Sequence, residues 1–200
     1  MKREKKVHTI HIPIVLASAS PRRRELLLGL GLPFEVAAAD IDEEAVTAST
    51  PQALVKKLTL EKARAVAKIR PAALVIGADT VVYKNGRIFG KPKNAAEAQN
   101  MLRALSGGTH TVATGIALVS PDGEIDDVVT ANVTFKALTE GQIARYIATG
   151  EPFDKAGGYG IQGRAAAMIR EITGDYYTVM GLPVCRLGEL LAEHFGIEVL

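Results

Sequence analysis

VLASASPRRREL, residues 15–26, runs from an apolar strand through a loop of small residues into a helix. Ser20 is a favoured N-cap, and Pro21 suits the first helical position. Such a junction aims free backbone N–H groups and the positive end of the helix dipole outwards, which makes it an anion site. Arg22, Arg23 and Arg24 fall in the first turn, where cations oppose the dipole. A local rule broken at a helix start points to function, here a polyanionic ligand such as a nucleotide triphosphate. The bland alternative is a basic helix start on a solvated surface. Successive helical residues diverge by about 100°, so the three arginines cannot serve one ligand. Arg23 shares the face of Leu26, Leu27 and Leu30 and aims into a cleft above the core. Arg22 is the second candidate, and Arg24 faces water or an acid.

The rest of the chain continues this alternation. FEVAA at 34–38 reads as a strand, followed by an acidic loop with Asp40, Asp42, Glu43 and Glu44. Thr50-Pro51 opens a long helix to about Ile69, and ALVIGADTVVY at 73–83 is a buried strand. Asn85-Gly86 is a hairpin signal, returning through 87–89. Asn94 caps a helix to about Leu105, with Glu97 in capping-box position. Two strands flank Pro121-Asp122-Gly123, and Thr139 with Gln142 starts another helix. A glycine-rich loop fills 150–163, AAAMIREI at 165–172 reads as a strand, and Pro183 opens the last helix. Strands alternating with helices, plus hairpins, predict an α/β fold with a mixed twisted sheet and flanking helices.

Composition bounds the rest. At 200 residues and 48% hydrophobic content, the chain makes one domain or two lobes around a cleft. Residues 1–11 form a basic arm, read as a disordered terminus, before a single domain at 12–200. No apolar h-region follows the arm, and no run approaches transmembrane length. A net charge of +2 gives no case for nucleic acid. The single Cys185 excludes an internal disulfide and fits a reducing cytosol. His110 and His194 are isolated, and no zinc spacing occurs.

Several residues carry chemistry. Asp79 stands inside the apolar strand LVIGADTVV, where a carboxylate needs a partner, a metal or a catalytic role. Thr80 points to the opposite strand face. Lys62 shares the helical stripe of Leu54, Val55, Leu58, Ala65 and Ile69, so it snorkels or reaches into a cleft. Lys91, in GKP beside the Asn94 cap, suits a phosphate, although an exposed loop lysine is the simpler account. Gly158 to Gly163, GYGIQG, matches GxGxxG, but no strand precedes it, so the dinucleotide reading is rejected. Its glycines allow close backbone approach, and Gln162 offers an amide that can read a base edge. A tight structural loop explains it equally well.

Taken together, ASASPRRREL, GADTVV, GKP, LSGGTHTVATG and GEPFDKAGGYGIQG resemble the Maf family of nucleoside triphosphate pyrophosphatases, in order over about residues 12–195. The resemblance implies a two-lobed fold with a central cleft, related to the inosine triphosphatase fold. It implies hydrolysis of a nucleoside triphosphate to monophosphate and pyrophosphate with a divalent cation, magnesium or manganese. It also implies a cytoplasmic enzyme, often a homodimer. GADT and GIQG are similar to the branch acting on dTTP and UTP. The family's general base maps onto Asp79, its specificity residues onto Arg23, Thr80 and Gln162, and further cleft positions onto Ser18, Glu43, Lys62 and Lys91. Ser18 with the loop amides would hold phosphate oxygens, and Glu43 would complete a metal site with Asp79. Two alternatives stay open: a pyrophosphatase for 7-methyl-GTP or a broader set of modified nucleotides, and a non-enzymatic inhibitor of septum formation.

Overall fold

The computed structural model describes residues 12–200, so the basic arm lies outside the described residues. The elements are β1 (Ile14–Ala17), α1 (Pro21–Gly29), β2 (Glu35–Val36), α2 (Pro51–Ile69), β3 (Leu74–Lys84), β4 (Arg87–Phe89) and α3 (Ala95–Leu105). They continue with β5 (Thr109–Ser120), β6 (Gly123–Phe135), α4 (Glu140–Ile147), β7 (Ile169–Gly174), α5 (Tyr176–Met180) and α6 (Val184–Phe195). Among the described residues one seven-stranded sheet runs β2-β1-β3-β5-β6-β7, with β4 also on β3. The pairs of β1 with β2 and β3 are parallel, and the remaining pairs are antiparallel.

Local chemistry explains most boundaries. Ser20, Thr50, Asn94 and Thr139 each accept a backbone N–H of the helix they start. Thr139 and Gln142 close a full capping box. Glu97 does not, because its carboxylate takes the Lys93 N–H one residue earlier. Asn85 and Gly86 have φ of 51° and 77°, the left-handed pair that a two-residue hairpin requires. The expected strand over 165–172 begins only at Ile169, and Arg164–Met168 forms a 3₁₀ segment instead. Alanine is depleted in strands, so the three alanines do not hold one, and the Glu151 carboxylate accepts the Arg164 N–H at the start of the segment.

Strand β3 organises the molecule. Along one edge, Leu74–Gly77 pair with β1 and Val82–Lys84 pair with β4. Between them, Ala78–Val81 have no strand partner on that edge among the described residues. Asp79 and Thr80 sit in this gap. One sheet face carries two apolar cores, Leu27, Ile76, Ile116 and Leu187 under α1 and α6, and Val82, Leu102, Phe135 and Ile143 under α3 and α4. These are the two lobes. The polar contact of Thr80 with Thr114, 2.9 Å, lies on the same face between them. The other face is covered by α2, which buries Val55, Leu58, Thr59, Ala63 and Val66. The expected stripe is therefore rotated at its end, where Ile69 is 61% exposed. At Gly77 an added Cβ would stand 2.8 Å from the Thr59 carbonyl oxygen, so glycine lets α2 sit close to the sheet.

His110 is buried beside Phe135 and Tyr159, and burial, helped by Lys84, pushes its pKa down to about 4. The unfolded chain takes up this proton near the ordinary value of about 6.5. Between those values the unfolded state binds more protons, so stability falls as pH drops through this window. The contribution is at most about 3 kcal/mol. Urea unfolding between pH 7 and 4 is expected to show a steeper loss for the wild type than for His110→Gln. Parallel profiles would contradict it.

Candidate active site

The gap in β3 opens into a cleft of about 610 Å³, within the range that holds a nucleotide-sized ligand. Three pieces of chain converge on it. The loop after β1 brings Ser18 and the start of α1. Helix α2 brings Lys62 over the edge of β3. The segment 154–161, together with Val179–Gly181, closes the far side.

Helical phase places the arginines as expected. Arg23 turns inward, Arg22 lines the cleft half-buried and Arg24 is exposed. Arg23 donates from Nε to the Gly181 carbonyl (2.7 Å) and from its two terminal nitrogens to Ser18 Oγ (3.2 Å) and Thr80 Oγ1 (3.1 Å). The same guanidinium lies 4.0 Å from Asp79 Oδ1. Burial pulls its pKa down, and Asp79 opposes that pull. Arg23 thus ties α1, β3 and the α5–α6 turn together below the cleft. Gly181 permits this approach, since it has a φ of 107° and an added Cβ would stand 3.3 Å from Thr80 Oγ1. Ser18 Oγ accepts both from Arg23 and from the Ser20 N–H at 3.2 Å, which leaves its own proton for a ligand oxygen.

On the other side, Lys62 Nζ lies 2.9 Å from Asp79 Oδ1 and 2.9 Å from Glu43 Oε1. Lys62 and Asp79 are nearly buried, whereas Glu43 is half exposed. Lys62 therefore reaches the cleft, the less common of its two expectations. Among the described residues Asp79 Oδ2 has no hydrogen-bond partner, so one carboxylate oxygen is available to the cleft. Lys91 is an exposed residue of the cleft wall.

The structure thus brings Ser18, Arg22, Arg23, Glu43, Lys62, Asp79, Thr80 and Lys91 to one cleft. Gln162 stands apart. A tight turn, with the Gly163 N–H on the Gly160 carbonyl at 3.1 Å, puts its side chain at an exposed tip, while Tyr159, Gly160 and Ile161 line the cleft. Asp154 and Lys155 also line it, although nothing in their sequence context singles them out. Arg22 pairs with Asp154 across the mouth at 3.5 Å, and Lys155 pairs with Asp154 from the same loop. The signal was present in the segment GEPFDKAG, but a polar loop has no periodicity to say which side chains turn inward. Arg22, Arg23, Lys62, Lys91 and Lys155 face Glu43, Asp79 and Asp154, which leaves the cleft net positive.

A net-positive cleft with a helix N-terminus and one lysine-held carboxylate suits a polyphosphate. The chain belongs to the Maf-like protein family, whose model matches residues 13–194. A dTTP/UTP pyrophosphatase of Symbiobacterium thermophilum is 52% identical over 186 residues, 93% of this chain and 95% of that protein. One of Moorella thermoacetica is 54% identical over 188 residues, 93% and 96% of the two chains. The Staphylococcus aureus Ham1 structure is more distant, with a TM-score of 0.46 and 19% identity over 62% of this chain and 71% of that one.

Arg23→Ala is expected to weaken binding of a non-hydrolysable UTP analogue at least about tenfold, because it releases Ser18, Thr80 and the Gly181 carbonyl that it holds at the floor of the cleft. Arg24→Ala is expected to bind like the wild type. Titration calorimetry checks the pair, and equal losses would mean that the cluster acts only as diffuse charge.

Proposed function

We propose that this protein hydrolyses nucleoside triphosphates, dTTP and UTP foremost, to the monophosphate and pyrophosphate. The observation that carries the reading is Asp79, a carboxylate in a buried strand, held by Lys62 at the edge of a cationic cleft. The relatives named dTTP/UTP pyrophosphatase support the substrate.

The triphosphate enters with its phosphates toward Ser18, the α1 N-terminus, Arg22, Lys91 and Lys155. Asp79 Oδ2 holds a water and takes its proton as the oxygen attacks the α-phosphorus. The bond from the α-phosphorus to the α–β bridging oxygen breaks, and pyrophosphate leaves with that oxygen. Lys62 keeps the carboxylate aimed through Oδ1, and the cations offset charge growing on the phosphates. Arg22 exchanges Asp154 for phosphate when substrate enters.

Asp79 and Glu43 fit a divalent ion in donor type, because their oxygens already converge on one cation, Lys62 Nζ. Among the described residues no group of three His, Cys, Asp or Glu side chains gathers as a metal cage. Magnesium held through one or two carboxylates and substrate phosphates needs no such cage. When bound, such an ion polarises the phosphates. No helix among the described residues is long and apolar enough to cross a membrane.

Base choice falls to the 159–163 loop, with Gln162 at its rim. Uracil and thymine present acceptor, donor, acceptor, whereas cytosine places an amino donor where uracil has a carbonyl. A site donor is then left unpaired, at a cost of roughly 1–3 kcal/mol. A purine has to displace the loop. Measured kcat/KM is therefore expected to favour dTTP and UTP over CTP by about tenfold or more, with GTP and 7-methyl-GTP poor. A preference for 7-methyl-GTP, or equal use of UTP and CTP, would overturn the base reading. No pyrophosphate from any nucleotide would overturn the enzymatic one.

A further inference from the structure

One buried polar group takes no part in the chemistry proposed above. His110, early in β5, is 2% exposed, and its Nδ1 has no hydrogen-bond partner among the described residues. Its ring packs edge-on against Phe135 and Tyr159, with centroids 5.1 and 5.3 Å away. A phenylalanine would satisfy those contacts without the cost of burying an unpaired nitrogen. What histidine adds is one bond: its Nε2 lies 2.7 Å from the Tyr159 hydroxyl.

Tyr159 begins the loop assigned above to the base end of the cleft. Among the described residues, side chains hold that loop and its end at three points. The Tyr146 hydroxyl accepts the Gly160 N–H at 3.3 Å, Glu151 accepts the Arg164 N–H at 3.0 Å, and His110 bonds Tyr159. The first two come from α4 and a neighbouring loop segment. Only the third ties the loop to the sheet, on the strand that also carries Thr114 against Thr80. That bond is buried at both ends, with Tyr159 5% exposed, so water does not compete for it.

We propose that His110 is a positioning residue for base specificity: through Tyr159 it sets the height of the 159–163 loop above β5, and so the width of the base end of the cleft. It touches no substrate. The inference rests on the reading that this loop is the base end.

The test compares UTP and CTP in wild type, His110→Phe, His110→Gln, Tyr159→Phe and the double phenylalanine variant, with thermal melting to monitor the fold. His110→Phe is expected to lower the UTP/CTP ratio of kcat/KM about tenfold, the scale of one buried hydrogen bond. The loss is expected in the UTP KM and not in kcat. Tyr159→Phe, which removes one oxygen, should match it, and the double variant should be no worse, because both break one bond. His110→Gln, whose amide reaches toward the same oxygen, should keep most of the ratio. If His110→Phe fails to fold, Tyr159→Phe reads the same bond. An unchanged ratio in a folded His110→Phe or Tyr159→Phe would overturn this inference alone. A wild type that does not distinguish UTP from CTP overturns the base-end reading and this inference with it.

Discussion

Asp79→Asn is expected to lower pyrophosphate release from UTP by roughly 10²–10⁴-fold, the scale of a positioned general base. The amide has nearly the same volume and still offers Lys62 an acceptor, so the 2.9 Å contact can persist. It cannot accept a proton from water. The variant should therefore melt close to the wild type and bind a non-hydrolysable UTP analogue, while kcat collapses. Near-wild-type turnover by folded Asp79→Asn would remove Asp79 from the chemistry.

Lys62→Met is expected to be the next most damaging change, lowering kcat by about 10²-fold. Methionine keeps the stem that packs along α2 but removes the charge between Asp79 and Glu43. Asp79 then loses the group that aims it, and two carboxylates face each other without their shared cation. Lys62→Arg should rescue poorly, because a planar fork does not replace a point charge held at one distance from both oxygens. Glu43→Gln should cost less, since Glu43 is 56% exposed and its pair with Lys62 is screened by water. Steady-state kinetics on the three variants checks the order. A Lys62→Met enzyme more active than Glu43→Gln would contradict it.

Much of this was legible in the sequence, and what was legible is local. Caps are short-range chemistry, so Ser20, Thr50 and Thr139 could be read from their neighbours. Helical phase separated Arg23 from Arg24 because a cleft-facing arginine must share the face of Leu27. A carboxylate inside an apolar strand singled out Asp79 without any knowledge of its partners.

What escaped is long-range or irregular. Nothing near Arg23 shows that its Nε meets the carbonyl of Gly181, 158 residues away. The gap in the edge of β3 depends on where β1 stops and β4 starts, and no property of LVIGADTVV displays it. The five-residue α5, capped by Asp175, is too short to give a periodic pattern. The amide of Gln162 suits a base edge, but the turn that exposes it is set by the Gly160–Gly163 hydrogen bond and by Glu151. In the sequence His110 stands isolated because its partner Tyr159 is 49 residues away.

Hydrolysis of UTP in ¹⁸O-labelled water, with the products resolved by mass spectrometry, reports which phosphorus the water attacks. Attack on the α-phosphorus by the water at Asp79 predicts one ¹⁸O in UMP and none in pyrophosphate. Label in the pyrophosphate, or release of UDP and orthophosphate, would contradict attack at the α-phosphorus.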